Sequence, residues 1–220
     1  MSLTVVATPI GNYLDITLRA IETLKSCDAI ICEELKPARV LLKRIGIEPS
    51  SKLLYQLNEH SKTPELPEYL NLCREKNIAL ISDCGTPGFC DPGSQLVNLC
   101  MLEKIKVDVN PGASSLMTLL SIAGTDLNEF YFVGFLPAEK IARNLKISDL
   151  KKIRKPLVIM DTPYRLKATL QDFALASPNS QAILGIDLTG ENHKVLRGKM
   201  TQLSSLELSK APFVLILFPL

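Results

Sequence analysis

No stretch of the sequence approaches the roughly 20 consecutive apolar residues that a membrane helix needs, and the last apolar run, Phe213 to Phe218, is only strand length. The opening MSLTVVATPIG has neither a basic lead nor a long apolar core, so an export signal is not expected. Net charge is also small. Lys and Arg number 25 against 23 Asp and Glu, a balance of +2 that argues neither for nor against nucleic acid as a partner. The six cysteines (Cys27, Cys32, Cys73, Cys84, Cys90, Cys100) include no C-x-x-C, which removes a redox pair of that type. Cys84 and Cys90 lie too far apart for the usual ligand spacing, and the two histidines, His60 and His193, are isolated, so no metal is expected. Neither G-x-x-x-x-G-K-[ST] nor G-x-G-x-x-G occurs, which disfavours a nucleoside triphosphatase or an ordinary dinucleotide enzyme. A cytoplasmic protein with reduced thiols is the expectation.

What is present points to an α/β protein. The 220 residues, 46% of them hydrophobic, suffice for two domains of about 110 residues each. In the first half, short apolar runs at 3–7, 29–32, 52–56, 78–81 and 106–109 alternate with amphipathic stretches. Asp15 could cap a helix carrying Leu18, Ile21 and Leu24, and Pro37 could start one that Gly46 closes. Apolar strands separated by helices are the pattern of a parallel sheet covered on both faces. After Pro111-Gly112-Ala113-Ser114-Ser115 the alternation loosens: strands at 129–133, 156–160, 181–186 and 213–218, helices at 138–152 and 164–175, and a hairpin-like stretch at 186–198. That suggests a mixed sheet. The expected domains are 1–112 and 113–220. Four cysteines (27, 32, 73 and 100) fall among apolar neighbours and read as small core residues.

The densest signal is Ser82-Asp-Cys-Gly-Thr-Pro-Gly-Phe-Cys-Asp-Pro-Gly93, directly after an apolar strand. Its glycines permit positive φ and close approach to a ligand, and its prolines fix φ and remove donors. The plain alternative is a tight loop with no ligand, since Gly and Pro punctuate many loops. Two further loops have the same character, Thr8-Pro9-Ile10-Gly11-Asn12 and Pro111 to Ser115. All three follow strands, so a parallel sheet would bring them to one edge, where such sheets bind ligands. Asp15, Arg19, Glu33, Glu34 and Arg39 follow the first two strands on the same expected side; a carboxylate there could take a proton from a hydroxyl. The alternative is a helix cap with surface ion pairs. Residues 136–170 hold nine Lys or Arg against three acids, a local +6 against −4 elsewhere, which could attract phosphate or simply form a solvated face.

"VATPIGN-x-x-DITLRA", "SDxGTPGxxDPG", "PGAS" and "GFLP", in that order, resemble the tetrapyrrole-methylase superfamily. Within it the chain looks most like the ribosomal small-subunit methyltransferase I family, which methylates a cytidine ribose 2′-hydroxyl of 16S ribosomal RNA. The resemblance runs from about residue 3 to the C-terminus and thins after Pro137. It implies two α/β domains with S-adenosylmethionine in the cleft between them, a parallel-sheet domain followed by a mixed-sheet one, and usually a homodimer. By position it implies cofactor contacts at Pro9, Cys84, Gly85, Thr86, Phe89, Ser114 and Ser115, and at Asp161, Leu188 and Pro212 in the second half.

The chain departs from the family pattern in several places. The usual E-D-T-R is Glu33-Glu34-Leu35-Lys36, E-S-P-H-R is Asp161-Thr162-Pro163-Tyr164-Arg165, and R-E-L-T-K is Ile186-Asp187-Leu188-Thr189-Gly190. Cys84 stands where the family has alanine, and the resemblance implies a short C-terminal extension that would lie past Leu220. The glycines and prolines of the three loops keep the family pattern, and the acceptor side departs from it. Candidate catalytic carboxylates are Glu33, Glu34 and Asp83, with Asn12, Arg19 and Arg39 as candidate acceptor contacts. Ribosomal RNA or the small ribosomal subunit is the expected partner. A small tetrapyrrole-like acceptor, or a cofactor-binding protein whose catalysis has decayed, are the competing readings.

Overall fold

The computed structural model describes residues 1–58 and 65–219, so His60 lies outside the described residues. The chain divides into two compact units, Met1–Ser114 and Ser115–Leu220.

In the first unit, β1 (Ser2–Val6), β2 (Ala29–Cys32), β3 (Leu53–Gln56), β4 (Asn77–Ile81) and β5 (Lys106–Asn110) form one sheet in the order β3-β2-β4-β1-β5. Every pairing is parallel. The apolar runs lack alternation because both faces are covered. Leu3, Val5, Ala29, Ile31, Ile78 and Leu80 point to one side, against α3 (Glu65–Glu75) and α4 (Ser94–Leu102). Their neighbours Val6, Ile30, Cys32, Ala79 and Ile81 point to the other, against α1 (Leu18–Ser26) and α2 (Leu35–Arg44). That period of two divides the core into two slabs. Cys27, Cys32, Cys73 and Cys100 are buried in them, whereas Cys84 and Cys90 are exposed.

Two helix starts differ from expectation. Thr17, not Asp15, caps α1, its side chain accepting from the Ala20 amide, while Asp15 ends a 3-10 turn (Tyr13–Asp15) capped by Asn12. Thr17 sits one residue before the helix, where its hydroxyl reaches the orphan amide; Asp15 is one turn too early. The second helix starts at Leu35, and Pro37 takes its third position, where the missing N–H has no intrahelical carbonyl to lose.

The second unit opens with α5 (Ser115–Ser121) and carries β6 (Tyr131–Gly134), α6 (Lys140–Leu150), β7 (Leu157–Asp161), α7 (Leu166–Ala176), β8 (Gln181–Ile186), β9 (Lys194–Lys199), α8 (Met200–Ser204) and β10 (Phe213–Leu217). Its sheet runs β6-β7-β10-β8-β9, parallel only between β6 and β7. The sheet is mixed, and its hairpin is β8–β9. Helices α6, α7 and α8 bury Ile147, Leu150, Phe173, Met200 and Leu203 on one sheet face. Among the described residues, no helix is long and apolar enough to cross a membrane.

Candidate functional site

Because the first sheet is wholly parallel, its register sets Val6, Cys32, Gln56, Ile81 and Asn110 along one edge. The chain leaving each strand there supplies the three glycine–proline loops and the Glu33-Glu34 pair. Thr8 and Gly85 tie two of the loops together. The Thr8 amide donates to the Gly85 carbonyl at 2.8 Å and the Gly85 amide to the Thr8 carbonyl at 3.1 Å. Thr8 is fully buried, and its hydroxyl lies 3.3 Å from the carbonyls of Ser82 and Gly85. Gly85 holds φ +83°, a region L side chains rarely adopt. At Gly93, φ is +115° and a Cβ would stand 2.7 Å from Leu80 Cδ2, so any other residue there would strain the backbone and displace the Leu80 side chain. The third loop is equally close: a Cβ on Gly112 would meet Ala7 Cβ at 2.9 Å.

The three candidate carboxylates converge. Glu33 Oε2 accepts from the Asp83 amide at 3.2 Å, and Asp83 Oδ1 accepts from the Glu34 amide at 3.2 Å. Glu34 in turn accepts from Gln56 Nε2 at 2.8 Å and Asn58 Nδ2 at 3.2 Å. Gln56 and Asn58 were missed by sequence reasoning, although they follow the third strand at the same edge and the same logic would find them. Local desolvation, then the charge of Glu33 and that of Glu34, push the Asp83 carboxyl up to about 6, against a lowering contribution from the Glu34 amide. A carboxyl raised that far can exchange a proton near neutral pH. Burial, followed by the Asp83 charge, pushes the Cys32 thiol up to about 12, with Arg39 acting in the opposite direction. Among the described residues no group of three or more His, Cys, Asp or Glu is arranged to hold a metal.

Of the candidate acceptor contacts, Asn12 accepts from the Leu14 amide at 3.0 Å, and Arg19 donates to the Val109 carbonyl at 3.3 Å on the edge strand. Arg39 is exposed on α2. Of the implied cofactor contacts, Pro9 and Gly85 are buried, Thr86 and Ser114 are half-buried, and Cys84 and Phe89 are exposed. Desolvation and then the charges of Asp91, Glu33 and Asp83 push the Cys84 thiol up to about 11, so it stays a thiol at neutral pH. Ser115, half-buried, opens α5 in the second unit.

In the second unit the strand ends also gather residues. Phe213 pairs with both Asp161 and Ile186, and the Asp187 amide donates to the Pro212 carbonyl at 2.9 Å. Asp161, Leu188 and Pro212 therefore share one sheet edge. Leu188 is buried between Asp187 (φ +48°) and Thr189 (φ +63°), in a loop braced by Asn192 N donating to Asp187 Oδ2 at 2.8 Å. The Asp161 carboxylate is occupied internally. It accepts from the Thr162 amide at 2.8 Å and the Thr169 hydroxyl at 3.3 Å, and Arg165 lies 3.3 Å away.

The basic segment is not one solvated patch. Arg165 donates to the carbonyls of Leu136 and Pro137 at 2.8 Å each. Arg143, buried, donates to the Ala138 carbonyl at 2.8 Å and pairs with Asp172 at 2.7 Å. Two of the nine cations thus clamp the loop after β6. Lys152 and Lys155 pair with Asp149 and Glu129 on the surface.

Comparison with known proteins identifies the family and the fold. The family described as Tetrapyrrole (Corrin/Porphyrin) Methylases matches residues 2–204. A protein of Thermotoga maritima named ribosomal RNA small subunit methyltransferase I is 36% identical over 201 residues, covering 91% of this chain and 89% of its own. A protein of Neisseria meningitidis serogroup B with the same name is 34% identical over 223 residues, covering 99% and 76%. A solved diphthine synthase superposes with a TM-score of 0.74 at 13% identity, covering 100% of this chain and 90% of that one, a likeness of fold alone.

Proposed function

The chain belongs to the tetrapyrrole (corrin/porphyrin) methylase family and is a methyltransferase, and we propose that its acceptor is a ribose hydroxyl of 16S ribosomal RNA. The observation that carries this reading is the Glu33–Asp83–Glu34 cluster at the edge where the glycine–proline loops meet. It is joined to identity above one third with a relative named for that rRNA activity.

The methyl donor in this reading is S-adenosylmethionine, which when bound supplies an electrophilic methyl group. The residues present fit a flat, nucleoside-sized group. Gly85, at φ +83°, leaves main chain uncovered by a side chain, and the half-exposed Phe89 of the same loop supplies an aromatic ring. Pro9, Cys84, Gly85, Thr86, Phe89 and Ser114 of the first unit are the proposed contacts, with Ser115, Asp161, Leu188 and Pro212 of the second. Asp161 would contribute through its main chain, because its carboxylate is engaged. Asp83 takes the proton of the acceptor hydroxyl, since a ribose hydroxyl is a poor nucleophile while protonated. Glu33 and Glu34 raise its proton affinity and fix its position through the exchanged amide hydrogen bonds. In this reading Arg19, Arg39 and Asn12 hold the acceptor strand. A cytoplasmic homodimer, usual for such enzymes, completes the proposal; light scattering after size exclusion tests the dimer.

Thermal unfolding with added S-adenosylmethionine tests the donor. A ligand at 100 times its Kd stabilises by about 2.7 kcal/mol, so Tm should rise by several degrees. An unchanged Tm at millimolar cofactor would remove the donor from the account.

A further inference from the structure

Beside the carboxylate cluster the first unit has a cavity of about 310 Å³, lined among others by Thr8, Pro9, Tyr13, Lys36, Val40 and Asp83. Its walls differ in chemistry. Tyr13 and Val40 present a flat aromatic and an aliphatic surface. Lys36 is exposed and in no ion pair among the described residues. Asp83 supplies a carboxylate at another wall. Tyr13 comes from the 3-10 turn after Asn12, and the Arg44 guanidinium lies 5.5 Å from its ring centroid. Arg44 is outside the cavity lining, so it braces the ring without occupying the space.

An unpaired nucleotide carries the same three chemistries: a base with two π faces, an anionic phosphate, and ribose hydroxyls. Single-stranded RNA is recognised by stacking splayed bases on aromatic rings. The volume lies at the small end of ligand pockets, which run from about 300 to 1,000 Å³; it suits one nucleoside and not a ring of four pyrroles. We propose that this cavity receives the acceptor nucleotide of a single-stranded RNA, the base stacking on Tyr13, a phosphate on Lys36, and the ribose turned to Asp83. The inference rests on the RNA-methyltransferase reading above and names the part of the chain that selects the acceptor.

Tyr13 is 39% exposed, so its substitution leaves the core intact. The test uses the full chain with Tyr13→Ala, Tyr13→Phe and Lys36→Gln variants. Two assays run side by side: labelled methyl transfer to small ribosomal subunits from a strain lacking this methylation, and anisotropy of a labelled single-stranded oligoribonucleotide. A stacked base contributes about 1–3 kcal/mol, so Y13A should raise the KM for subunits and the oligonucleotide Kd by roughly 5- to 150-fold. Y13F should recover most of that loss. K36Q should weaken RNA binding and flatten its dependence on salt, as loss of one phosphate contact requires. The affinity for S-adenosylmethionine should not change in any of them. The proposal is overturned if Y13A binds the oligonucleotide as wild type does, or if Y13F is as impaired as Y13A. If wild type methylates no subunits while Y13A still weakens oligonucleotide binding, the cavity stands as a single-stranded RNA site and the reading of small-subunit RNA as acceptor falls.

Discussion

Arg143→Met tests the clamp that shapes the second unit. Arg143 is 8% exposed, its Nε lies 2.7 Å from Asp172 Oδ2, and its Nη1 donates to the Ala138 carbonyl at 2.8 Å. Both side chains of the pair are 10% exposed, so solvent screens them little. Methionine keeps much of the volume but leaves the Asp172 carboxylate without its partner. Removing one member of a buried pair costs about 3–5 kcal/mol, most of it the uncompensated charge. For a chain of this length, each kcal/mol moves Tm by about 2–4 °C, so R143M should lower Tm by roughly 6–20 °C. The double variant R143M/D172L removes both charges and should recover most of that loss. Arg165 still holds the Leu136 and Pro137 carbonyls in each variant, so the loop keeps two of its anchors. Thermal and urea unfolding of wild type, R143M, D172L and R143M/D172L measure the cycle. A single variant within about 1 kcal/mol of wild type, or a double variant no more stable than the single, would refute a buried clamp and return Arg143 to the surface.

The Asp83 carboxyl, raised to about 6 from an ordinary 3.8, carries a sign that can be checked. Its raised folded value favours the native state when protonated, so stability from this group is full below about pH 4 and is lost as pH rises through about 6. D83N should abolish that dependence in urea midpoints measured from pH 4 to 8, while lowering methyl transfer by about 10²- to 10⁴-fold. Wild-type transfer should itself increase with pH through about 6, in rates measured under saturating substrate. Gly93→Ala, at φ +115° and with its new Cβ 2.7 Å from Leu80 Cδ2, should cost about 1–3 kcal/mol in the same unfolding assay. Cys84, exposed but with its thiol pushed up to about 11, should alkylate at pH 7.5 far more slowly than free cysteine; mass spectrometry of iodoacetamide-treated protein follows it.

The sequence made the first unit easier to read than the second, for a physical reason. In a parallel sheet covered on both faces the inner strands are buried on both sides, so Ala29-Ile30-Ile31-Cys32 and Ile78 to Ile81 appear as unbroken apolar runs. Parallel direction then places all five following loops at one edge, which is how Glu33, Glu34 and Asp83 could be grouped across 50 residues before their hydrogen bonds were seen. Positive φ at Gly85 and Gly93 was legible for the same reason that glycine is used there. The helix α8 was missed because it has only five residues and is held by Gln202 accepting from the Lys199 amide at 2.9 Å, with no periodic face to detect. Charge counting over residues 136–170 does not separate Arg143 and Arg165 from the exposed lysines around them, since composition cannot tell an arginine facing solvent from one turned onto carbonyls. Arg165 bonds to carbonyls 28 and 29 residues away in sequence, a distance no local pattern reports. Tyr13 escaped notice because an aromatic in a polar turn has no periodic partner; only the cavity gives it a role.

The central claim, methyl transfer to a ribose hydroxyl of small-subunit RNA, is tested most directly by one measurement. Purified protein is incubated with methyl-labelled S-adenosylmethionine and small ribosomal subunits from a strain lacking the modification, and the RNA is then hydrolysed in alkali. A methylated 2′-oxygen cannot attack the neighbouring phosphate, so the account predicts label in an alkali-resistant dinucleotide, absent with D83N. Label released as a mononucleotide, or found only in a small tetrapyrrole-like molecule, would contradict it.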